Sequence, residues 1–346
     1  MAERADPRPT RRRATDTHAA RLAERGPGSG WRMIAAKELT DHVSSVRFVV
    51  LLVAIGVAAL VPLYFTSEVI RSQAETTSGS FGLYLALFTF GPEAIGGFPL
   101  ISLVATLVPL LGIAFGFDAI NSERTQGTLP RLLCQPIHRD DVINGKFVAG
   151  IAIVSLTLLA MVLIITGMGI ARLGIVPGGE ELLRIVLWMF ATILYASFWL
   201  AFAVLLSVVV RRAASAALVG FGAWFALVLL GSLFLPLLAR AFFPISATAD
   251  PGAQFAAQGA QQAFLRLFPQ QLYQDIVRVV LDPTATYAII PGSLGGAQSA
   301  SEQLPSLLSV DQSILLVWPQ IVGLLALTMV LFAIAYVGFL RQEVRA

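Results

Sequence analysis

One polar stretch, Asp118 to Lys146, gathers residues with chemistry or contacts to offer: DAINSERTQGTLPRLLCQPIHRDDVINGK. It ends in Gly145-Lys146, the pair that closes a phosphate-binding P-loop. Phe147 follows where Ser or Thr is needed, however, and Asp140 stands where the first glycine should be. No such loop forms there, so ATP hydrolysis by this route is not expected of the chain. The three histidines, His18, His42 and His138, lie outside the apolar runs, which leaves a membrane-embedded serine without an imidazole base. Cys134 stands alone, which excludes an intramolecular disulfide and a Cys-rich metal site; it reads as a small buried hydrophobe. Contact is the remaining chemistry. Leu129, Leu132 and Leu133 fall at i, i+3 and i+4 and share one face of a short helix. Thr128 serves as N-cap, Pro130 fits the first turn, and Pro136 limits the far end. A second helix starts near Asp140 and Asp141, whose charges suit an N-terminus, and runs into the next apolar run. Three leucines on one side of such a helix either dock a soluble partner or lie on lipid headgroups, and the pattern alone leaves both open.

Composition dictates what must position this stretch. Hydrophobic residues make up 56% of the 346 and charged ones 13%, with a mean hydropathy of +0.77. Apolar segments of roughly 20 residues make this a polytopic membrane protein of the all-α class, because only helices and closed barrels satisfy every backbone group in hydrocarbon. Six spans are predicted, at 48–64, 100–117, 147–171, 185–210, 213–238 and 314–340. Residues 1–29, with Arg11-Arg12-Arg13 and Gly26-Pro27-Gly28, read as a disordered basic arm rather than a signal peptide, a candidate for anionic lipid more than for nucleic acid. Trp31, Ile34, Ala35, Leu39, Val43 and Val46 recur at helical spacing, so 31–47 is expected as an amphipathic interfacial helix, with Ser44 and Ser45 marking the turn into the membrane.

The region 81–90 is too short to cross alone and is expected as an interfacial or re-entrant piece. Arg211-Arg212 alone joins the fourth and fifth spans, which forces a hairpin. Residues 239–313 form a long polar connection. Within it Leu272, Ile276, Val279 and Val280 line one face of a short helix that Pro283 stops. Trp318 and Tyr336 are placed to anchor the last span at its two interfaces.

Charge sets the expected orientation. Of 24 Lys and Arg residues, 18 fall before the first span, in 118–146, at 211–212 and in the tail, against six in the opposite connections. That asymmetry puts both termini and the polar stretch in the cytoplasm. No Asp, Glu, Lys, Arg or His falls in the middle of any predicted span, where ion-coupled carriers place costly functional charges. A secondary carrier is therefore disfavoured, and an active transporter would draw its energy from another polypeptide.

The polar stretch resembles the cytoplasmic loop of the ABC-2 type permeases, the membrane subunits of type V ATP-binding-cassette exporters. Their loop reads Glu, three residues, Gly-Thr-Leu, a Leu-Leu pair, a Pro, an Arg and a Gly-Lys before the next span. Glu123, Gly127-Thr128-Leu129, Leu132-Leu133, Pro136, Arg139 and Gly145-Lys146 stand here in that order. Pro130 departs from the acidic residue common at its position, and 239–313 is larger than in the plainest members. The likeness is to the branch of single-permease subunits that includes sodium, copper-maturation and antibiotic export systems.

The resemblance implies a coupling helix that sits in a cleft of an ATP-binding subunit. Leu129, Leu132 and Leu133 would be its buried anchors, with Glu123, Arg124 and Arg131 as a polar rim and Gly127 as the bend. It implies a bacterial inner-membrane protein, a second permease copy (identical or paralogous), and a pathway lined mainly by the second and fifth spans. ATP and Mg²⁺ would reside on the partner, with no cofactor in this chain. Two other readings stay open: a secondary carrier without an ATPase, and a scaffold whose 239–313 segment holds an extracytoplasmic protein.

Overall fold

The computed structural model describes residues 30–73, 84–91, 97, 99–127, 138–174, 176–245, 250–282 and 308–342. The expected basic arm at 1–29 lies outside these residues, as does the predicted coupling helix with Thr128, Leu129, Arg131, Leu132 and Leu133. Every regular element among the described residues is helical. Six helical stretches are long and apolar enough to cross a membrane: α2 (Val46–Gln73), α4 (Leu100–Gly116) carried on through the turn to Thr125, α6 (Arg139–Leu173), α7 (Gly179–Val209), α8 (Ala213–Phe242) and α11 (Val310–Leu340). The shorter elements are α1 (Gly30–Val43), α3 (Ala86–Thr89), α5 (Asn121–Thr125), α9 (Pro251–Leu265) and α10 (Pro269–Leu281).

Most of the long helices outrun the predicted spans. α2 has 28 residues, about 42 Å at 1.5 Å per residue, against a hydrocarbon core of roughly 30 Å. It continues to Gln73 instead of stopping near Tyr64, α6 starts at Arg139, and α7 starts at Gly179. Helices need not end where hydrocarbon ends, because their hydrogen bonds are internal and polar side chains suit the headgroup layer. Val209 and Ala213 bracket the expected hairpin at Arg211-Arg212.

α4 and α7 form the centre of the bundle. Burial reaches 61% of the apolar window in each, against 17% in α8 and in α11. Their contact rests on Gly112 and Gly116, spaced four apart on α4. A Cβ on Gly112 would lie 2.7 Å from the Ala196 carbonyl oxygen, and one on Gly116 would lie 2.7 Å from the Ala203 Cβ. Hydrophobic burial gives little drive between helices already in oil, so close van der Waals approach at small residues holds them together. Trp188, Tyr195 and Trp199 of α7 fill the remaining interior.

α8 reaches α4 through the Trp224 indole N–H, which donates to the Thr106 carbonyl at 2.8 Å. Its middle, Phe225–Leu230, is wound as a π-helix, with Pro236 further along. Around it Phe225, Leu229, Leu230 and Leu233 are exposed.

The short apolar piece before α4 is buried rather than spread on a surface. Leu87 and Phe88 of α3 are fully enclosed, Phe88 meets Trp188 edge-on at 5.2 Å, and the Tyr84 hydroxyl donates to the Thr166 carbonyl at 2.9 Å.

The connection between α8 and α11 differs from the expected polar loop at 239–313. α8 runs on to Phe242, α11 begins already at Val310, and α9 and α10 lie between. The predicted stripe Leu272, Ile276, Val279 and Val280 is buried as α10 packs against α7 and α11. Arg184 of α7, fully enclosed, fastens this corner. It donates to the Val280 carbonyl at 2.9 Å, to the Ser313 hydroxyl at 3.3 Å and to the Leu308 carbonyl, and it pairs with Glu180 at 2.9 Å. A cation placed on the carbonyl end of α10 also suits that helix's dipole.

Candidate functional site

The base of the polar stretch lies at the end of the bundle where α1 and the last described residues meet. After α4 the chain turns through 117–120 into α5, and the first free amides of α5 need acceptors. The buried Ser207 hydroxyl near the end of α7 supplies one, accepting from the Ile120 N–H at 2.9 Å and the Asn121 N–H at 3.1 Å. Asp118 is held by Arg47 through paired contacts at 2.7 and 3.2 Å, and the same guanidinium donates to the Ala114 carbonyl at 2.9 Å. It also covers the Phe117 ring at 5.0 Å from the ring centre. This ties the start of α2 to the end of α4.

Glu123 does not form the expected outward rim. Its carboxylate turns in to Lys146 at 3.2 Å, and Lys146 reaches Glu38 of α1 at 2.8 Å. The Lys146 side chain is 5% exposed and each carboxylate 13%, so one ammonium joins α1, α5 and α6 in a nearly dry corner. An ion left unpartnered in such a place costs several kcal/mol, which draws Glu123 inward rather than toward solvent. Gly145, just before, lets α1 approach: a Cβ there would sit 2.8 Å from the Ile34 side chain and the Trp31 carbonyl.

Arg124 likewise turns back to the bundle, donating to the Val208 carbonyl at 3.3 Å. The Gln342 amide donates to the same carbonyl at 2.8 Å, and Arg139 donates to the Gln342 carbonyl at 3.2 Å. Gly127 carries φ +65°, the left-handed conformation that favours glycine, and the residues it leads into lie outside those described. Beyond it, α6 begins at Arg139, where the Asp141 carboxylate accepts from the His138 N–H at 3.3 Å.

His42 meets Phe115 edge-on at 5.3 Å. Burial pushes its pKa below the ordinary 6.5, with Glu38 and Asp118 acting to raise it and Lys146 and Arg47 to lower it further. Of the expected site, then, Glu123, Arg124 and Gly127 form a fixed mount, while Thr128, Leu129, Arg131, Leu132 and Leu133 lie outside the described residues. In the sequence Lys146 stands out only as part of Gly-Lys, and Glu38 carries no signal of its own. No periodic pattern links them, since they stand 108 residues apart. Among the described residues, what the geometry shows is a braced connection.

A family description, ABC-2 family transporter protein, matches residues 32–344. A probable ABC transporter permease protein NosY of Stutzerimonas stutzeri is 34% identical over 217 residues, covering 58% of this chain and 68% of that protein. Its namesake from Pseudomonas aeruginosa is 33% identical over 154 residues, covering 43% and 53%. The chain belongs to the ABC-2 family of transporter proteins. It is a multi-pass membrane subunit of the ABC permease type, which implies an ATP-binding partner subunit.

Proposed function

We propose that the chain is the permease of a bacterial inner-membrane exporter, with both termini cytoplasmic, paired with a second permease copy and driven by a separate ATPase that carries ATP and Mg²⁺. The loop after Gly127 enters a cleft of that ATPase, with Leu129, Leu132 and Leu133 as anchors, Arg131 at the rim and Thr128 capping the helix. One observation carries this reading. The loop's base is braced by the Glu38–Lys146–Glu123 cluster, so a displacement of the loop passes to α1 and α6 together instead of dissipating in a slack connection. Glu123 acts in docking through this brace, and Arg124, tied to the Val208 carbonyl, stands at the edge of the docking surface.

The test is co-purification. Leu132→Asp combined with Leu133→Asp should cost the ATPase subunit at least roughly a hundredfold in retention, as expected when central apolar anchors become charged. The variant should still insert and elute as wild type. Full retention of the ATPase would refute the docking surface.

A further inference from the structure

A cavity of about 360 Å³ opens at the end of the bundle opposite α1, between α3, the start of α4, and α10. Its volume lies within the roughly 300–1,000 Å³ typical of small-molecule sites. Ile101 and Ala105 of α4 and Val277 of α10 give it an apolar floor. Over that floor stand Ser102, Gln274 and Arg278, whose side chains make no hydrogen bond or ion pair with any described residue. Asp282, one turn beyond Arg278, also reaches the rim but has an interaction of its own.

The cavity is held open. Tyr273 borders it, yet its hydroxyl is bound to the Thr192 hydroxyl at 2.9 Å and its ring stacks on Tyr195 at 4.5 Å. That pair of restraints keeps the ring from swinging into the space. Free polar groups converging over an apolar floor are the usual composition of a ligand pocket. An unpaired guanidinium selects a carboxylate or phosphate, which it grips with two parallel N–H donors.

We propose that this cavity binds an amphipathic anion. The carboxylate or phosphate head lies against Arg278, with the Ser102 hydroxyl and the Gln274 amide donating to it. The apolar tail runs along Ile101, Ala105 and Val277. Nothing in this reading depends on ATP coupling or on the direction of transport, so binding is read on the full chain in neutral-lipid nanodiscs without any ATPase.

The probe is decanoate carrying a tail diazirine, with labelled peptides mapped after illumination. Saturable labelling of 101–105 and 273–282 is expected, competed by decanoate or decyl phosphate and not by decanol. Arg278→Gln, at an exposed position, should weaken labelling roughly tenfold or more, the loss of one charge-assisted contact. Ala105→Phe should block the floor; should it fail to fold, the Arg278→Gln comparison stands alone. Stronger competition by decyl phosphate assigns the head as a lipid-like phosphate, and by decanoate as a carboxylate; either supports the site. Equal labelling of wild type and Arg278→Gln overturns it, as does decanol competing as well as decanoate. Competition by inorganic phosphate with decanoate inert overturns the amphipathic part.

Discussion

Gly112 brings α4 so near α7 that a methyl group on it would lie 2.7 Å from the carbonyl oxygen of Ala196 and from the Leu200 amide nitrogen. Backbone atoms on a packed helix cannot step aside as a flexible side chain does. Gly112→Ala should therefore separate the two central helices and lower stability by about 1–3 kcal/mol, the usual cost of overpacking. Gly222→Ala, where an added Cβ meets nothing within 4 Å, is the matched control and should be neutral or slightly stabilising. Thermal unfolding in detergent, followed by monodisperse fraction, checks both. Equal melting of the two variants would count against the close contact.

Lys146 pairs with two carboxylates at once, and removing it leaves both with little solvent. Lys146→Met should cost roughly 2–4 kcal/mol, near the low end because each carboxylate keeps some exposure. Adding Glu38→Gln and Glu123→Gln should recover most of the loss, since the repulsion goes with the charges. The triple variant should melt near wild type yet lose transport-coupled ATPase stimulation if the ions act as a brace. A single Lys146→Met that melts like wild type would dispose of the cluster's structural role.

His42 sets a pH dependence whose sign follows from its lowered pKa. Below the unfolded value of 6.5 the unfolded chain takes up a proton that the folded chain resists, so acid favours unfolding. The stabilising effect of the neutral ring is complete above pH 6.5 and is lost as pH falls from there toward the folded pKa. His42→Gln should flatten the slope of melting temperature on the acid side of pH 6.5. An unchanged slope would place the titration elsewhere.

Arg184→Met would strand the Val280 and Leu308 carbonyls at one corner. Each unpaired buried acceptor costs about 1–3 kcal/mol. Amide exchange across α10 should quicken by roughly tenfold or more, while α1 exchanges as before. Exchange rising evenly along the chain would mean that Arg184 serves the whole bundle and not this corner.

Hydropathy made the spans legible because each is a long run of one chemistry, and the stripe Leu272, Ile276, Val279 and Val280 was legible because its period is helical. Ser44 and Ser45 stand at the expected break: the Ser45 hydroxyl accepts from the Phe48 N–H at 3.2 Å as α2 begins. Span ends were not legible, since a helix passing into headgroups changes composition without changing conformation. Arg184 fell one residue before a predicted span, where an arginine looks like an ordinary boundary residue. The pairing of Glu38 with Lys146 across 108 residues leaves no local trace. Gly112 and Gly116, spaced four apart, form a small-residue signature of close helix packing that is visible in the sequence itself.

The unequal enclosure of the six long helices bears on how freely this chain can drift. Where an exposed rib meets only fluid tails it is asked for oiliness and nothing finer, so Met329 there can trade places with many neighbours in the amino-acid alphabet. Ala203, at touching distance from another backbone, has almost no substitutes. Random mutagenesis scored on insertion alone should thus leave a map of permissive outer ribs around an intolerant spine.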